Sequence, residues 1–355
     1  MAHQIDMVMD FQYGSTGKGA IVGYLAKREN YDTAICSFGT QAGHTYIDKA
    51  RGIHAMVQQL PVAAIASETV KNVLIGPGSL IHLNTLTGEF ARYGHLIGSK
   101  SVMIHEHAAI VEDYHTQQEI DWGMTKIGST AHGVGAAAIE RIKRSPDNAN
   151  VAKVRFRGTS MEQYVVTGAE YVKVLNEAQS IIIEGAQGFS LSMYHGQYPY
   201  TTSRDVTPWQ IAADCGLPYK WASYIKVIGS MRTFPIRVNN RDGSSGPCYP
   251  DQMELDWNHF GIPAELTTVT KLPRRIFTFS REQLEQAMFH CGGYWDTRVF
   301  LNFANYCKHP YELSNIIKAI ETSTAAMLKP PRVAWIGGGA DDSEIEVYQE
   351  KRMTW

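Results

Sequence analysis

Short apolar runs that end in glycine-containing turns, each followed by a helix-like stretch, fill the first third of this chain. IDMVMDF (Ile5 to Phe11), GAIVGYLAKR (Gly19 to Arg28), TAICSF (Thr33 to Phe38) and VLIGPG (Val73 to Gly78) follow one another in that rhythm. Strand-length apolar runs alternating with helical patterns predict a largely parallel sheet with crossover helices. SIIIEGA, from Ser180, and YIKVIGS, from Tyr224, predict further central strands. VAWIGGG, from Val333, predicts a late strand ending in a glycine turn, and NNRDGSSGPCYPD, from Asn239 to Asp251, a turn-rich surface excursion. The expected fold class is α/β: a mostly parallel central sheet flanked by helices, with long inserted loops, in a single domain over residues 1–355.

Composition narrows the partners. The 355 residues are 44% apolar and 19% charged, enough to bury a large core. No stretch approaches the roughly 20 continuous apolar residues of a membrane span, and the start, MAHQIDMVMDFQ, has no basic segment leading into an apolar signal core. Cys36, Cys215, Cys248, Cys291 and Cys307 are scattered and form no CxxC pair, which fits a reducing cytoplasm better than a disulfide framework. With a net charge of −2 and no long Lys/Arg run, the expected partner is a small anion, not a nucleic acid or a membrane.

The chemistry starts where IDMVMDF runs into Gln12-Tyr13-Gly14-Ser15-Thr16-Gly17-Lys18-Gly19, with a helix predicted to open at Ala20. Three glycines allow positive φ and close approach to an anion. The helix N-terminus aims free N–H groups at that anion, and Lys18 adds a charge. The spacing is not the GxxxxGK[ST] of a Walker A loop. By spacing alone, a glycine-rich turn with a solvent lysine fits as well. A second strand ends in Phe38-Gly39-Thr40-Gln41-Ala42-Gly43-His44-Thr45. His44, among small residues in a turn, is placed to meet a phosphate as donor or general acid, although an isolated histidine is more often structural.

Together the two motifs resemble the adenylosuccinate synthetases, whose loops read GDEGKGK and NAGHT. The likeness continues in order through Ile127-Gly128-Ser129-Thr130, Glu184-Gly185-Ala186-Gln187-Gly188, His195-Gly196-Gln197-Tyr198-Pro199-Tyr200 and Thr267-Thr268-Val269-Thr270, over nearly the whole chain. The resemblance implies that family's fold, which is like that of P-loop NTPases, and its two-step chemistry. A purine O6 attacks a γ-phosphate, and the aspartate amine then displaces phosphate. It implies that His44 stabilises the transferring phosphoryl group. Thr16, Gly17, Lys18, Gly19 and Ala20, with Thr45, Gly338 and Gly339, would bind the donor. Gln41, Ser129, Thr130, Gln187 and Thr202 would hold the purine nucleotide, and Arg144 would reach its 5′-phosphate across a homodimer interface. Val269, Thr270 and Arg274 would bind aspartate, an arginine fork suiting a carboxylate. Mg²⁺ is expected for phosphoryl transfer, with the Ser15 hydroxyl and the Gly43 carbonyl as ligands.

Four departures from the family pattern sharpen the expectation. Ser15 stands where the family carries the catalytic aspartate that takes the N1 proton; it is a poor base, but its smaller size makes room for an exocyclic amine at C2. Thr270-Lys271-Leu272 replaces threonine, glycine and an arginine that contacts the ribose 2′-OH. Leu272 suits a 2′-deoxyribose, and Lys271 is the alternative stand-in for the arginine. In Leu301-Asn302-Phe303-Ala304-Asn305 an amide, Asn305, replaces the guanine-reading carboxylate of LTKLD, which predicts ATP or dATP as donor. Gly337-Gly338-Gly339 replaces a Ser/Thr-Gly-Pro turn.

These features resemble the phage branch of the family, the 2-aminoadenylosuccinate synthases. The resemblance implies formation of N6-succino-2-amino-2′-deoxyadenylate from dGMP, aspartate and ATP. Two rivals stay open at this level. An ordinary synthetase acting on IMP with GTP is opposed by Ser15, Leu272 and Asn305. A nucleotide-binding relative inactivated through Ser15 is opposed by His44 and Arg274.

Overall fold

The strand Gln4–Asp10 is buried at every position after its first, so both faces are covered, as a central parallel strand requires. The computed structural model describes residues 4–240, 244–267, 271–292, 297–323 and 330–349. Among these, ten strands form one sheet in the order Ile345–Val347, Arg332–Gly337, Arg298–Asn302, Ile225–Arg232, Gln4–Asp10, Ser180–Glu184, Thr33–Cys36, Asn72–Ile75, Ser101–His105 and Val165–Val166. All neighbours run parallel except Ile345–Val347, which turns back against Arg332–Gly337. Alternate side chains feed two apolar layers. Val8, Ala34, Ile182 and Ile228 pack with Ile21, Val22 and Leu25 of helix Lys18–Arg28. Met7, Met9, Ile183 and Leu301 pack on the other face with Leu284 and Met288 of helix Arg281–Cys291 and Ile316 and Ile320 of helix Pro310–Glu321.

The α/β expectation holds, with local differences. The first helix opens at Lys18, two residues earlier than predicted, because Gly17 takes the left-handed conformation (φ 93°) and caps it. His44 does not lie in a turn. It begins strand His44–Asp48, which pairs antiparallel with Ile53–Val57, because the alternating pattern of both segments buries one face of a hairpin. The described part of the 239–251 excursion carries no helix or strand. Among the described residues no helix is long and apolar enough to cross a membrane.

Gln4–Asp10 lies between Ser180–Glu184 and Ile225–Arg232. The chain leaves it toward Thr33–Cys36 on one side, while later strands add on the other. Loops leaving the carboxyl ends of strands at such a reversal diverge and open a crevice, where open α/β sheets bind ligands. A three-stranded antiparallel sheet of Ile236–Arg237, Arg275–Phe277 and Glu254–Leu255 supports the later loops.

Phe11, the residue between the first strand and its loop, rests its buried ring directly on Gly229, where a Cβ would collide with the ring. Gly229→Ala is therefore expected to destabilise the fold by about 1–3 kcal/mol through overpacking. Urea denaturation checks this: the midpoint should fall at unchanged slope, and an unmoved midpoint would mean the ring yields freely.

Candidate active site

The loop after the first strand is folded around one carboxylate. Asp10 is fully buried and accepts from the Gln12 N–H (2.8 Å), the Gly14 N–H (3.2 Å), the Thr16 hydroxyl (2.5 Å) and the Lys18 ammonium (3.3 Å). A buried charge is tolerated when it is paired and hydrogen-bonded in this way. Lys18 is buried as well, and its ammonium also donates to the Gln187 carbonyl (3.0 Å), so it is not a solvent lysine. Gly14, Ser15 and Gly17 all have positive φ, and Gly17 offers no side-chain cap. The first-turn N–H groups thus keep no capping partner, which suits an anion cradle at the helix N-terminus. Ser15 is exposed at the crest of this loop, and Thr16 is buried beneath it.

The second motif packs against the first. A Cβ on Gly19 would sit 2.7 Å from the Thr45 carbonyl oxygen, so glycine is what lets the helix and the His44 hairpin touch. His44 is buried, and its Nδ1 hydrogen-bonds the Glu184 carboxylate. The other Glu184 oxygen accepts from the Val62 N–H (2.7 Å), which fixes the carboxylate. The imidazole is thereby oriented with Nε2 on the side away from Glu184, the arrangement of a base held by a third group. Gly43 is exposed beside it. Gly188 lies so close to the Gln12 and Gly14 backbone that no side chain fits there, and Gln187 before it takes a left-handed φ of 62°. The Gln187 segment is therefore locked to the phosphate loop.

Of the remaining nucleotide candidates, Gln41 and Thr202 meet, the Gln41 amide donating to the Thr202 hydroxyl (3.5 Å). The Gln41 Oε1 is buried without a protein partner among the described residues, the state expected of an atom that serves a ligand. Ser129 accepts from the Ala131 N–H (3.2 Å) beside half-buried Thr130, and neither is bonded to the loops above among the described residues. Arg144 is exposed at the C-cap of helix Val134–Lys143, donating to the Ile142 carbonyl (3.3 Å). It stands apart from the other candidates.

Val269 and Thr270 lie outside the described residues. Among the described residues on either side, the Thr267 N–H donates to the Leu272 carbonyl (2.8 Å) and the Leu272 N–H to the Thr267 hydroxyl (3.0 Å). Leu272 is half-buried there, and Lys271 is exposed. Arg274 follows, its N–H donating to the Glu265 carbonyl (2.7 Å). Burial pulls the Arg274 pKa down, against the opposing charge of Glu265. Burial pushes the Glu265 carboxyl up, but the Arg232 guanidinium, the Tyr306 hydrogen bond and the charge of Arg274 together outweigh it and leave the group below the usual carboxylate range.

On the late strands, Asn305 is exposed, one turn beyond strand Arg298–Asn302. Asn302 carries the contacts instead. Its amide donates to the Thr16 carbonyl (3.2 Å) and accepts from the Phe303 N–H (2.8 Å), and it fills the space left by Gly17 and Gly337. Gly338 is exposed, and Gly339 lies against the Glu344 carboxylate, with no room for a side chain.

Asp10, Glu184, Arg232 and Asn302 are not among the sequence candidates, yet each ends a strand of the central sheet. A polar residue closing an apolar parallel strand is a readable signal, since that edge is where ligands bind.

The Glu184 contact yields a test. Glu184→Gln is expected to lower kcat about 10- to 100-fold, the range seen when the carboxylate partner of a metal-ligating histidine is removed. Steady-state kinetics with a thermal melt as control measures it, and an unchanged kcat would mean His44 needs no such partner.

Comparison with known proteins agrees with this geometry. The adenylosuccinate synthetase family profile matches residues 7–150 and 145–292. The N6-succino-2-amino-2′-deoxyadenylate synthase of Acinetobacter phage SH-Ab 15497 is 41% identical, over 97% of this chain and 93% of its own. The protein of the same name from Salmonella phage PMBT28 is 42% identical over 96% of each. Among solved structures, the succinoaminodeoxyadenylate synthetase of cyanophage S-2L, bound to dGMP and to dATP as an energy donor, superposes with a TM-score of 0.89 at 38% identity, covering 98% of this chain and 96% of that one. An anion-cradling loop, a carboxylate-held histidine and this likeness over almost the full length place the chain in the adenylosuccinate synthetase family.

Proposed function

We propose that this protein is a carbon–nitrogen ligase that joins L-aspartate to dGMP at the expense of ATP or dATP. The products are N6-succino-2-amino-2′-deoxyadenylate, the nucleoside diphosphate and phosphate. The observation that carries the reading is Ser15: an exposed, neutral hydroxyl at the crest of an otherwise complete phosphate loop, where the family's ordinary members present a carboxylate. The likeness to proteins named for this activity supports it.

In the first step the guanine O6 attacks the γ-phosphorus, the bond from phosphorus to the bridging oxygen breaks, and the N1 proton passes to a water that the Ser15 hydroxyl orients. The amides of the Gly14 to Ala20 loop hold the donor phosphates, and His44, through Nε2, stabilises the transferring group. Ser15 leaves space for the 2-amino group and accepts a hydrogen bond from it. Gln41, Ser129, Thr130, Gln187 and Thr202 hold the nucleotide. In the second step the aspartate amine attacks C6, and phosphate leaves with O6. Arg274, with Val269 and Thr270, holds the aspartate carboxylate, and Leu272 packs on the deoxyribose. Asn305, Gly338 and Gly339 receive the donor base.

Mg²⁺ suits this site only as a shared ion. Asp10 is already saturated by protein donors, and among the described residues no group of three His, Cys, Asp or Glu side chains is placed to hold a metal. The exposed Ser15 hydroxyl and Gly43 carbonyl are oxygen donors that would complete a shell made mostly of phosphate oxygens and water, as this ion prefers. When bound, it would neutralise charge on the donor phosphates.

A homodimer completes the proposal. Tyr114 and Ile120 on helix Asp113–Asp121, Trp122 at its end, and Ile139 and Ile142 on helix Val134–Lys143, which Arg144 caps, are exposed. Covering them with a second copy would bring Arg144 to that copy's nucleotide.

Phosphate release tests the function directly. With aspartate and ATP, dGMP should be consumed faster than GMP or IMP. Equal turnover of IMP with GTP would return the chain to the ordinary branch, and no release with either set would make it a binding relative.

Ser15 supplies a narrower prediction. Ser15→Ala should retain activity with a loss of about 10- to 1000-fold, as for one positioned polar group. Ser15→Asp should not speed dGMP turnover, but should narrow the gap to dIMP, which lacks the amine. A Ser15→Asp enzyme faster than its parent on dGMP would show that a carboxylate and the amine are compatible.

A further inference from the structure

Arg232, the last residue of its strand, is fully buried, and its contacts reach three separate loops. Nη1 donates to the Ser15 carbonyl (3.1 Å) and to Glu265 Oε2 (3.2 Å), and Nη2 pairs with Glu265 Oε1. The guanidinium carbon lies over the Phe303 ring, 3.5 Å from its centroid, and Tyr306 donates to Glu265 Oε1 (2.9 Å). Glu265 in turn holds Arg274 through its own carbonyl (2.7 Å). Ser15 and Phe303 both sit at positive φ, 56° and 61°, a conformation that non-glycine residues keep only where their surroundings enforce it. In each case the group touching the strained residue is the same guanidinium. A planar fork with five donors can serve a carboxylate, a carbonyl and an aromatic face at once; an ammonium cannot.

We infer that Arg232 and Glu265 form a positioning pair that couples the phosphate loop to the aspartate arm. Nucleotide seated on the Ser15 loop fixes the Ser15 carbonyl, the carbonyl fixes Arg232, and Arg232 fixes Glu265 and with it Arg274. The amine acceptor's site is thereby set in register with the phosphoryl site, and neither member of the pair touches substrate. This rests on the reading that the Ser15 loop carries out phosphoryl transfer and that Arg274 takes the aspartate carboxylate. Coupling of this kind is reciprocal and is commonly worth 5- to 150-fold in affinity.

The test compares the parent with Glu265→Gln, which keeps shape and removes charge, and with Arg232→Lys, which keeps charge and removes the fork. Both are expected to raise the KM for aspartate, at saturating nucleotide, about 10-fold, inside the coupling range above, while the KM for dGMP, measured at aspartate well below its own KM, stays within about threefold. Hydrogen exchange gives a reading independent of turnover. Adding dGMP and ATP should slow exchange at the Leu272 and Arg274 amides of the parent and leave both variants unaffected, although they still bind nucleotide. A dGMP KM that rises in parallel even at low aspartate, or protection that survives in the variants, would reduce the pair to structural ballast. Should Arg232→Lys fail to fold, Glu265→Gln decides alone. A parent that binds neither dGMP nor ATP would overturn the functional reading and this inference with it. A parent that binds them without slowed exchange would overturn the inference alone.

Discussion

Everything in the candidate site hangs on the carboxylate of Asp10. A negative charge sealed at the end of a central strand must collect donors, and it draws them from the loop that follows: two backbone amides, a hydroxyl and an ammonium. Gathering those donors bends the chain into its anion cradle. Lys18 then ties the same carboxylate to Gln187, and the lack of a side chain on Gly188 lets that segment close on the loop. The loop is therefore built before any ligand arrives, which lowers the ordering cost of binding phosphate.

A common arrangement runs through the site. The described carboxylates near the phosphate loop, Asp10, Glu184 and Glu265, are engaged with protein donors, and each holds another element in place. At the crest of the loop stands the neutral Ser15. Negative charge thus serves to position donors, while the surface offered to a polyphosphate is made of amides, a hydroxyl and an imidazole edge. Such a surface avoids like-charge repulsion with the phosphates, and it leaves the proton chemistry at N1 to a group other than a side-chain carboxylate at this position.

The proposed roles differ in how directly the fold supports them. His44 and Lys18 are fixed by buried hydrogen bonds to carboxylates that end central strands, and Lys18 in turn holds Gln187, so their placement follows from the sheet. Arg274 is tied to the central sheet through Glu265 and Arg232, by a longer chain of contacts. Arg144 stands at the surface beside an apolar helix face, and its proposed role depends on a second subunit.

The sequence alone determined the fold class and the motifs. Alternating strand-length and helical patterns, with glycines at fixed offsets, are local properties, so the parallel sheet, the phosphate loop and the His44 segment could be read from neighbours in the chain. So could the substitutions at Ser15, Leu272 and Asn305, because each is judged against a short motif. Tertiary structure alone decided which groups serve those motifs. Asp10, Glu184, Arg232 and Asn302 end strands that are far apart in the chain, and only the order of the sheet sets them side by side. Whether Lys18 faced solvent or the interior was equally undecided locally, since its partners are a buried carboxylate eight residues earlier and a carbonyl 169 positions away. Long-range pairing carries no signature in a single sequence beyond a polar residue closing an apolar strand, because what a buried charge requires is a partner in space.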